Sequence, residues 1–455
     1  MINLLVLILS LLSSFVFGAG ILFLLSHKKD IKISRVKFCI FSFALGTGLT
    51  SFLMFWFGLI GLSWLVFAMA LVILDGIFIV LMLMQKWGFL ERPARKKLNW
   101  SWLEILLVLI IIFEIGFVFI SAGLRPVINF DALNNWAFRG KVFFLEPELA
   151  FDSQGNFFLG SQVQQNYPLH IPLYLTWVYF WLGEVNDALV GLVFAFYFLA
   201  LIGFVFFSIK KRTGWRISLI FTMFLATLPL LNYHGFVAYA DLCLSFYFTL
   251  AAISLFNYLT QKRKIDLIGA GLFTGLMPWV KNEGLMLAVV LVTVFLIYLL
   301  NLFRKKYNKE IRFQEIKRFF SFIYGSLIFF LPWLIFKIWF GFGFDSVQPG
   351  SGITFIGWHP EIFMPLWQQI FLSNSFHIWP GVFVLILILF YKKVFTPPYF
   401  YLFLMILGGF LAYLTLYIFT ASFEFVSQGT VVGRNLITLV PISIFLAALL
   451  FKHKN

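Results

Sequence analysis

The chain has 455 residues, 62% of them apolar and 12% charged, where an ordinary water-soluble domain has about half and about a quarter. Phe alone supplies 63 residues and the aromatic share is 21%, more than one aqueous core of this length buries. A soluble globular enzyme is excluded, and the composition is that of a polytopic membrane protein. The two cysteines, Cys39 and Cys243, lie far apart in or beside apolar runs, so neither a disulfide framework nor a thiolate metal site is expected. A net charge of +15 would suggest nucleic acid in a soluble chain. In a membrane chain it is first tested against the excess of Lys and Arg in cytoplasmic loops, and no nucleic-acid partner is expected.

Apolar segments of about 17 to 25 residues cross a bilayer as helices, because only internally hydrogen-bonded backbone is stable in hydrocarbon. About 13 such segments are expected, over 3–26, 38–62, 64–84, 102–122, 187–209, 217–236, 240–260, 266–280, 284–303, 319–342, 376–391, 398–419 and 434–451. The first has spanning length and is followed at once by a basic cluster, so it is expected as a retained helix rather than a cleaved signal peptide. Alternate connections then carry the basic residues, in the clusters 28–37, 86–97, 210–216, 262–264, 304–318, 392–393 and 452–454. They hold all but six of the 34 Lys and Arg. That side is expected to be cytoplasmic, with the N-terminus outside and the C-terminus inside, in a plasma (inner) membrane.

The six exceptions are Arg125, Arg139, Lys141, Lys281, Lys337 and Arg434. All fall at outer helix ends or in outer loops, where topology alone does not call for them. Singly each reads as an interfacial cation reaching for headgroups. Together with carboxylates on the same side they suggest a site. The longest outer segment, 123–187, has a polar middle and ends in a stretch flanked by Pro168 and Pro172. That stretch is expected to form a helix lying in the interface, with Trp177, Tyr179 and Trp181 at headgroup depth. A second outer loop, 343–375, carries Asp345, His359 and Glu361 and reads as a substrate-facing cap. Residues 1–100 look like a three-helix addition in front of a catalytic module over 101–455.

Asp131, in NFDALNNWAFRGKVFF, precedes apolar positions Leu133, Trp136, Ala137, Gly140 and Phe144 at near-helical spacing. It stands either as a surface-helix cap or as a carboxylate for chemistry beside Arg139 and Lys141. Asp241, in VAYADLCLSFYF, opens a later span and admits the same two readings. Lys281, Asn282 and Glu283 make a very short polar turn in PWVKNEGLML; a tight turn accounts for the polarity but not for the cation. Arg434 opens the last helix in VVGRNLITLVP, and a planar guanidinium suits a phosphate. His170, in NYPLHIPL, is an acceptor-side hydrogen bonder or only a polar tip. Asp75 and Glu114 lie inside spans and need partners. No HExxH, Walker loop, GxSxG or clustered His/Cys pattern occurs.

An outer-loop Asp after a span (Asp131), the aromatic re-entry Tyr167-Pro168-Leu169, an Asp heading a later span (Asp241), a Lys in a tight outer turn (Lys281) and an Arg at the last helix (Arg434) follow one another. In that order they resemble the GT-C glycosyltransferases. The likeness is to the protein-mannosyltransferase and aminoarabinose-transferase branch, glycosyltransferase family 39-like, over about residues 100 to 450. The resemblance implies an all-α membrane helix bundle and transfer of a hexosyl or pentosyl unit from a polyprenyl-phosphate carrier to an acceptor on the extracytoplasmic face, with inversion. Asp131 and Asp241 would take the catalytic acidic positions. Lys281, Arg434, Arg139, Lys141, Tyr167, His170 and Glu283 would bind the donor phosphate and substrate. Three features depart from the pattern: Asn282 and Glu283 follow the lysine where glycine is usual, three extra helices precede the usual first span, and a single Asp stands where some members carry an acidic pair. The last leaves open whether a divalent cation, Mg or Mn, is required.

Elementary chemistry agrees with the resemblance. A polyprenyl tail cannot leave the bilayer, so its phosphate must be met at headgroup depth. Glycosyl transfer also develops positive charge at the sugar and negative charge on the departing phosphate. The alternative is a transporter or flippase of a lipid-linked or anionic envelope precursor, which would put its charges at the bilayer midplane and show two related halves.

Overall fold

The computed structural model describes residues 2–26, 31–85, 90–91, 100–146, 149, 159–161, 164–304, 308–343, 355 and 357–452. Most of the basic connection 86–97, parts of those at 28–37, 304–318 and 452–454, much of 147–163, and Asp345 with its neighbours lie outside the described residues. In chain order the first helices are α1 (Ile2–Ser26), α2 (Arg35–Leu59), α3 (Trp64–Met84) and α4 (Trp102–Leu124). A π-helical turn, Ala132–Trp136, leads into α5 (Ala137–Leu145). Then come α6 (His170–Leu182), α7 (Asp187–Thr213), α8 (Trp215–Ala226), α9 (Pro229–His234), α10 (Ala240–Gln261), α11 (Lys264–Val280), α12 (Glu283–Arg304) and α13 (Lys309–Trp339). The last are α14 (Phe363–Trp367), α15 (Trp379–Leu389), α16 (Tyr391–Val394), α17 (Tyr399–Phe419), α18 (Ser422–Ser427), α19 (Val432–Leu436) and α20 (Val440–Leu450). The chain is an all-α integral membrane protein. One detail was not expected: β1 (Ile33–Ser34) pairs in parallel with β2 (Leu90–Glu91).

Nine helices among the described residues, α1, α2, α3, α4, α7, α10, α12, α13 and α17, are long and apolar enough to cross a bilayer. The other four expected segments form shorter or broken helices. The segment 217–236 divides at Pro229: Leu228, held extended at φ −67° and ψ 119°, cannot continue a helix into a proline. The segment 434–451 divides between α19 and α20, with a proline in the first turn of α20. The helices α11 and α15 have 17 and 11 residues.

Two compact units divide the chain. The first comprises Met1–Asn99, Phe119–Phe196 and Phe236–Ala240, and the second Trp100–Val118, Tyr197–Gly235 and Asp241–Asn455. In the first unit α1 and α2 touch backbone to backbone because glycines sit at the crossing: a Cβ at Gly46 would lie 1.9 Å from the Ser14 carbonyl oxygen. Small residues admit such contact where lipid offers no hydrophobic drive between helices. Polar side chains join the same helices. Ser13 donates to Asp75 at 2.6 Å, and Ser51 bonds His170 Nδ1 at 2.7 Å. Helix α6 is packed into this unit: Trp177 and Tyr179 are buried, and Trp177 Nε1 donates to the Ser10 carbonyl at 3.1 Å. Trp177 and Tyr179 are packed inside this unit, where α6 lies on α1, α2 and α5, while Trp181 is half-buried.

In the second unit α10 is buried along its length. Helix α11 lies hard against α13, where a Cβ at Gly275 would meet the Ser326 carbonyl oxygen at 2.2 Å. At one end Glu315 gathers Tyr258 (2.8 Å), Lys262 (2.9 Å) and Tyr298 (3.2 Å), tying α10, α12 and α13 together. Glu114 finds its partner in Asn232, whose amide donates at 2.6 Å. At the other end of α10 is the site described next.

Candidate functional site

Asp241 lies in the first turn of α10, 1% exposed. Such a carboxylate needs charged or hydrogen-bonded partners. The sequence places two cations within reach from distant stretches of chain. Lys281 Nζ donates to Oδ1 at 3.0 Å, and Arg434 Nη2 donates to Oδ2 at 3.0 Å. His234, at the end of α9, holds Nδ1 3.9 Å from Oδ2. With both oxygens engaged in ion pairs, Asp241 is the centre of a charged knot and not a helix cap.

Each cation is set by its backbone. Helix α11 ends at Val280 and Lys281 turns extended, at φ −156° and ψ 147°. The Gly284 N–H closes the turn on the Lys281 carbonyl at 2.9 Å. Only glycine fits there, since a Cβ on residue 284 would stand 2.2 Å from the Met277 carbonyl oxygen. The turn aims Lys281 Nζ at Asp241 and also at Glu283 Oε1, 2.8 Å away. Arg434 rides on the short α19. Its neighbour Gly433 lies against Leu230 of α9, where a Cβ would meet Leu230 Cδ2 at 2.9 Å. Asn435 on the other side donates to the Tyr417 hydroxyl at 2.9 Å. Lys337, in the last turn of α13 and 0% exposed, donates to Asn282 Oδ1 at 3.2 Å. Among the described residues, three cations (Lys281, Lys337 and Arg434) and two carboxylates (Asp241 and Glu283) stand together here.

The structure thus brings Asp241, Lys281, Glu283 and Arg434 together. The other candidates lie in the first unit. The Asp131 N–H donates to the Tyr239 hydroxyl at 3.3 Å, and its carboxylate makes no capping bond to the π-helical turn that follows. Arg139 is fully buried and is used as a brace: it donates to the carbonyls of Leu159 at 2.9 Å and Tyr167 at 3.1 Å, and to Asn135 Oδ1 at 3.4 Å. Burial pulls its guanidinium down to about 9, still charged at neutral pH. Lys141 pairs with Asp187 at 2.6 Å. The Tyr167 ring stands edge-on to Trp136, with centroids 5.2 Å apart. His170 is buried against Tyr174 and Ser51, and burial pushes its imidazole down to about 3, so it is neutral at physiological pH. Within the segment 343–375 His359 bonds Glu361 at 2.8 Å, and its ring lies parallel to Phe423, 3.8 Å between centroids.

No protein-family model matches the sequence, and no curated protein matches it. Solved structures do. ArnT from Cupriavidus metallidurans bound to undecaprenyl phosphate superposes with a TM-score of 0.55 at 14% identity, over 77% of this chain and 60% of that one. The apo state of the same protein gives 0.53 at 15% identity, over 78% and 61%. The fold is of the GT-C type. The chain spans about 60% of the length of these neighbours.

Within this GT-C fold a divalent cation has little to bind at Asp241. Both oxygens of that carboxylate already accept from cations at 3.0 Å. Among the described residues no group of three or more His, Cys, Asp or Glu side chains is placed to hold a metal. Sequence reasoning passed over His234 and the contact of Lys337 with Asn282. For Lys337 a signal existed, a cation near the end of an apolar span; for His234 there was only a polar residue after Pro229, which does not say what it faces.

Proposed function

We propose that this protein is a membrane glycosyltransferase that moves a sugar from a polyprenyl-phosphate-linked donor to a hydroxyl of an extracytoplasmic acceptor. The observation that carries the reading is the buried knot in which Lys281 and Arg434 share the one carboxylate of Asp241. A phosphate arriving at Arg434 and Lys281 meets a guanidinium and an ammonium, and these donors strengthen their hold as charge develops on the leaving phosphate. Asp241 keeps the two cations from repelling one another while the site is empty. Asp131 serves as the base: it takes the proton of the acceptor hydroxyl as the new C–O bond forms at the anomeric carbon and the bond to phosphate oxygen breaks with its electron pair, inverting the centre. Arg139, Lys141, Tyr167 and His170 belong to the scaffold that carries Asp131, and Glu283 steers Lys281. Residues 1–100 act as an addition to a catalytic module over 101–455. The chain sits in the inner membrane with its N-terminus outside and the basic loops in the cytoplasm. ArnT bound to undecaprenyl phosphate lends the fold-level analogy for a lipid-phosphate ligand.

The test supplies the purified protein, in lipid, with a panel of undecaprenyl-phosphate sugars and a membrane extract as acceptor, and measures free undecaprenyl phosphate. Acceptor-dependent release is expected, lowered about 10²- to 10⁴-fold by Asp131→Asn. Movement of intact donor across the membrane without cleavage would instead establish the transporter.

A further inference from the structure

We propose that Lys337 is a positioning residue that acts on Lys281 through Asn282, a role resting on the reading of Lys281 as a phosphate-holding cation. A fully buried ammonium is costly, by several kcal/mol, unless it is well held. Two of the contacts that hold Lys337 are the Asn282 side-chain oxygen at 3.2 Å and the Trp333 ring, whose centroid is 5.5 Å from Nζ. An ammonium donates and cannot accept, so it fixes which end of the Asn282 amide faces it. Asn282 stands between Lys281 and Glu283, in a turn whose backbone closes through Gly284 N–H to Lys281 (2.9 Å) and Leu285 N–H to Asn282 (3.0 Å). Holding the middle side chain of so short a turn holds the direction of its neighbours, and Lys281 must point at once to Asp241 and Glu283.

The approach of α13 that makes this reach available is itself encoded. Gly271, whose Cβ would come 2.9 Å from the Phe322 carbonyl oxygen, and Gly275 let α13 lie against α11. Lys337 then falls in the last turn of α13, where helix-end carbonyls favour a cation. The chain leaves α13 a few residues later: the Phe342 N–H bonds the Lys337 carbonyl at 2.8 Å. The latch therefore joins the root of the second outer loop to the Lys281 turn. Misplacing a charge-bearing group by about 1 Å costs on the order of 10²-fold in rate, so loosening the turn has a measurable effect although Lys337 itself touches no substrate.

Two measurements on the full-length protein in nanodiscs test this. Amide hydrogen exchange at Gly284 and Leu285, without ligand, is expected to accelerate roughly tenfold in Lys337→Met and in Asn282→Leu, a charged hydrogen bond being lost. In Asn282→Asp, which keeps an acceptor for the ammonium, it should stay near wild type. Undecaprenyl phosphate affinity should fall roughly tenfold in Lys337→Met but less than about twofold when the same change is made in Lys281→Gln, because the effect passes through Lys281. An equal loss in both backgrounds would mean that Lys337 contacts the ligand itself, and unchanged exchange would mean that there is no latch; either overturns the proposal. Should the wild type fail to bind undecaprenyl phosphate while exchange responds as expected, the functional reading falls and the latch stands. If Lys337→Met does not fold, the Asn282 pair carries both arms.

Discussion

Replacing Asp241 with Asn tests the knot most directly. The substitution keeps the shape of the side chain and removes the charge that holds Lys281 and Arg434, each 3.0 Å from its own oxygen. Breaking a buried pair by deleting one partner costs about 3–5 kcal/mol, because the remaining charge is left uncompensated. Here two cations are left, but they are not equally trapped. The Lys281 side chain is 6% exposed and keeps Glu283 at 2.8 Å, whereas that of Arg434 is 26% exposed and turns partly to water. Both facts pull the expected loss to the lower end, about 3 kcal/mol. Equilibrium unfolding of the purified protein in mixed micelles measures it. A second consequence separates charge from packing. With Asp241 neutralised the site becomes more positive by one charge, so undecaprenyl phosphate should stabilise the variant more than the wild type. The pair Asp241→Leu with Lys281→Met should in turn be less damaging than Asp241→Asn alone. A loss under about 1 kcal/mol, together with equal stabilisation of both proteins by the lipid phosphate, would show that the cluster is only a solvated surface pairing.

Gly284→Ala is expected to abolish turnover and to loosen the Lys281 turn, since its Cβ would stand 2.2 Å from the Met277 carbonyl oxygen; Gly284→Ser should be as harmful, and loss of undecaprenyl phosphate binding in each reports it. Gly46→Val should drive α1 from α2, its Cβ sitting 1.9 Å from the Ser14 carbonyl oxygen, and lower stability by at least about 2 kcal/mol in the same unfolding assay. His170 gives a pH dependence. Its folded value of about 3 lies below the ordinary 6.5, so the unfolded chain binds the proton more readily. Its contribution is complete above pH 6.5 and is lost as pH falls toward 3, at about 1.4 kcal/mol per pH unit. Carboxylates titrate in the same window, so the difference between wild type and His170→Asn is the quantity to measure. Parallel curves would refute the buried neutral imidazole.

The fold was legible because solvent chose it. Runs of apolar residues long enough to span depend on composition within a window, and among the described residues nine of the expected spans have the length to cross. Proline breaks were less legible: Pro229 lies inside a run that hydropathy reads as continuous, yet it divides α8 from α9 and so places His234 beside Asp241. For the site, the signal was charge in the wrong place. Arg434 and Lys281 stood out because topology gave them no purpose, and both prove to be bound to Asp241, 193 and 40 residues away. That the three meet follows from helix packing, which no local pattern encodes. Arg139 is a different case. It too is an outlying cation, but its hydrogen bonds go to carbonyls at 159 and 167 and to Asn135. Charge out of place in a membrane chain marks a group that has to be paid for; whether an anion or the backbone does so depends on what the helices bring within 3 Å. A buried guanidinium bonded to carbonyls braces a loop, whereas two cations sharing one carboxylate are the arrangement proposed here to admit a phosphate.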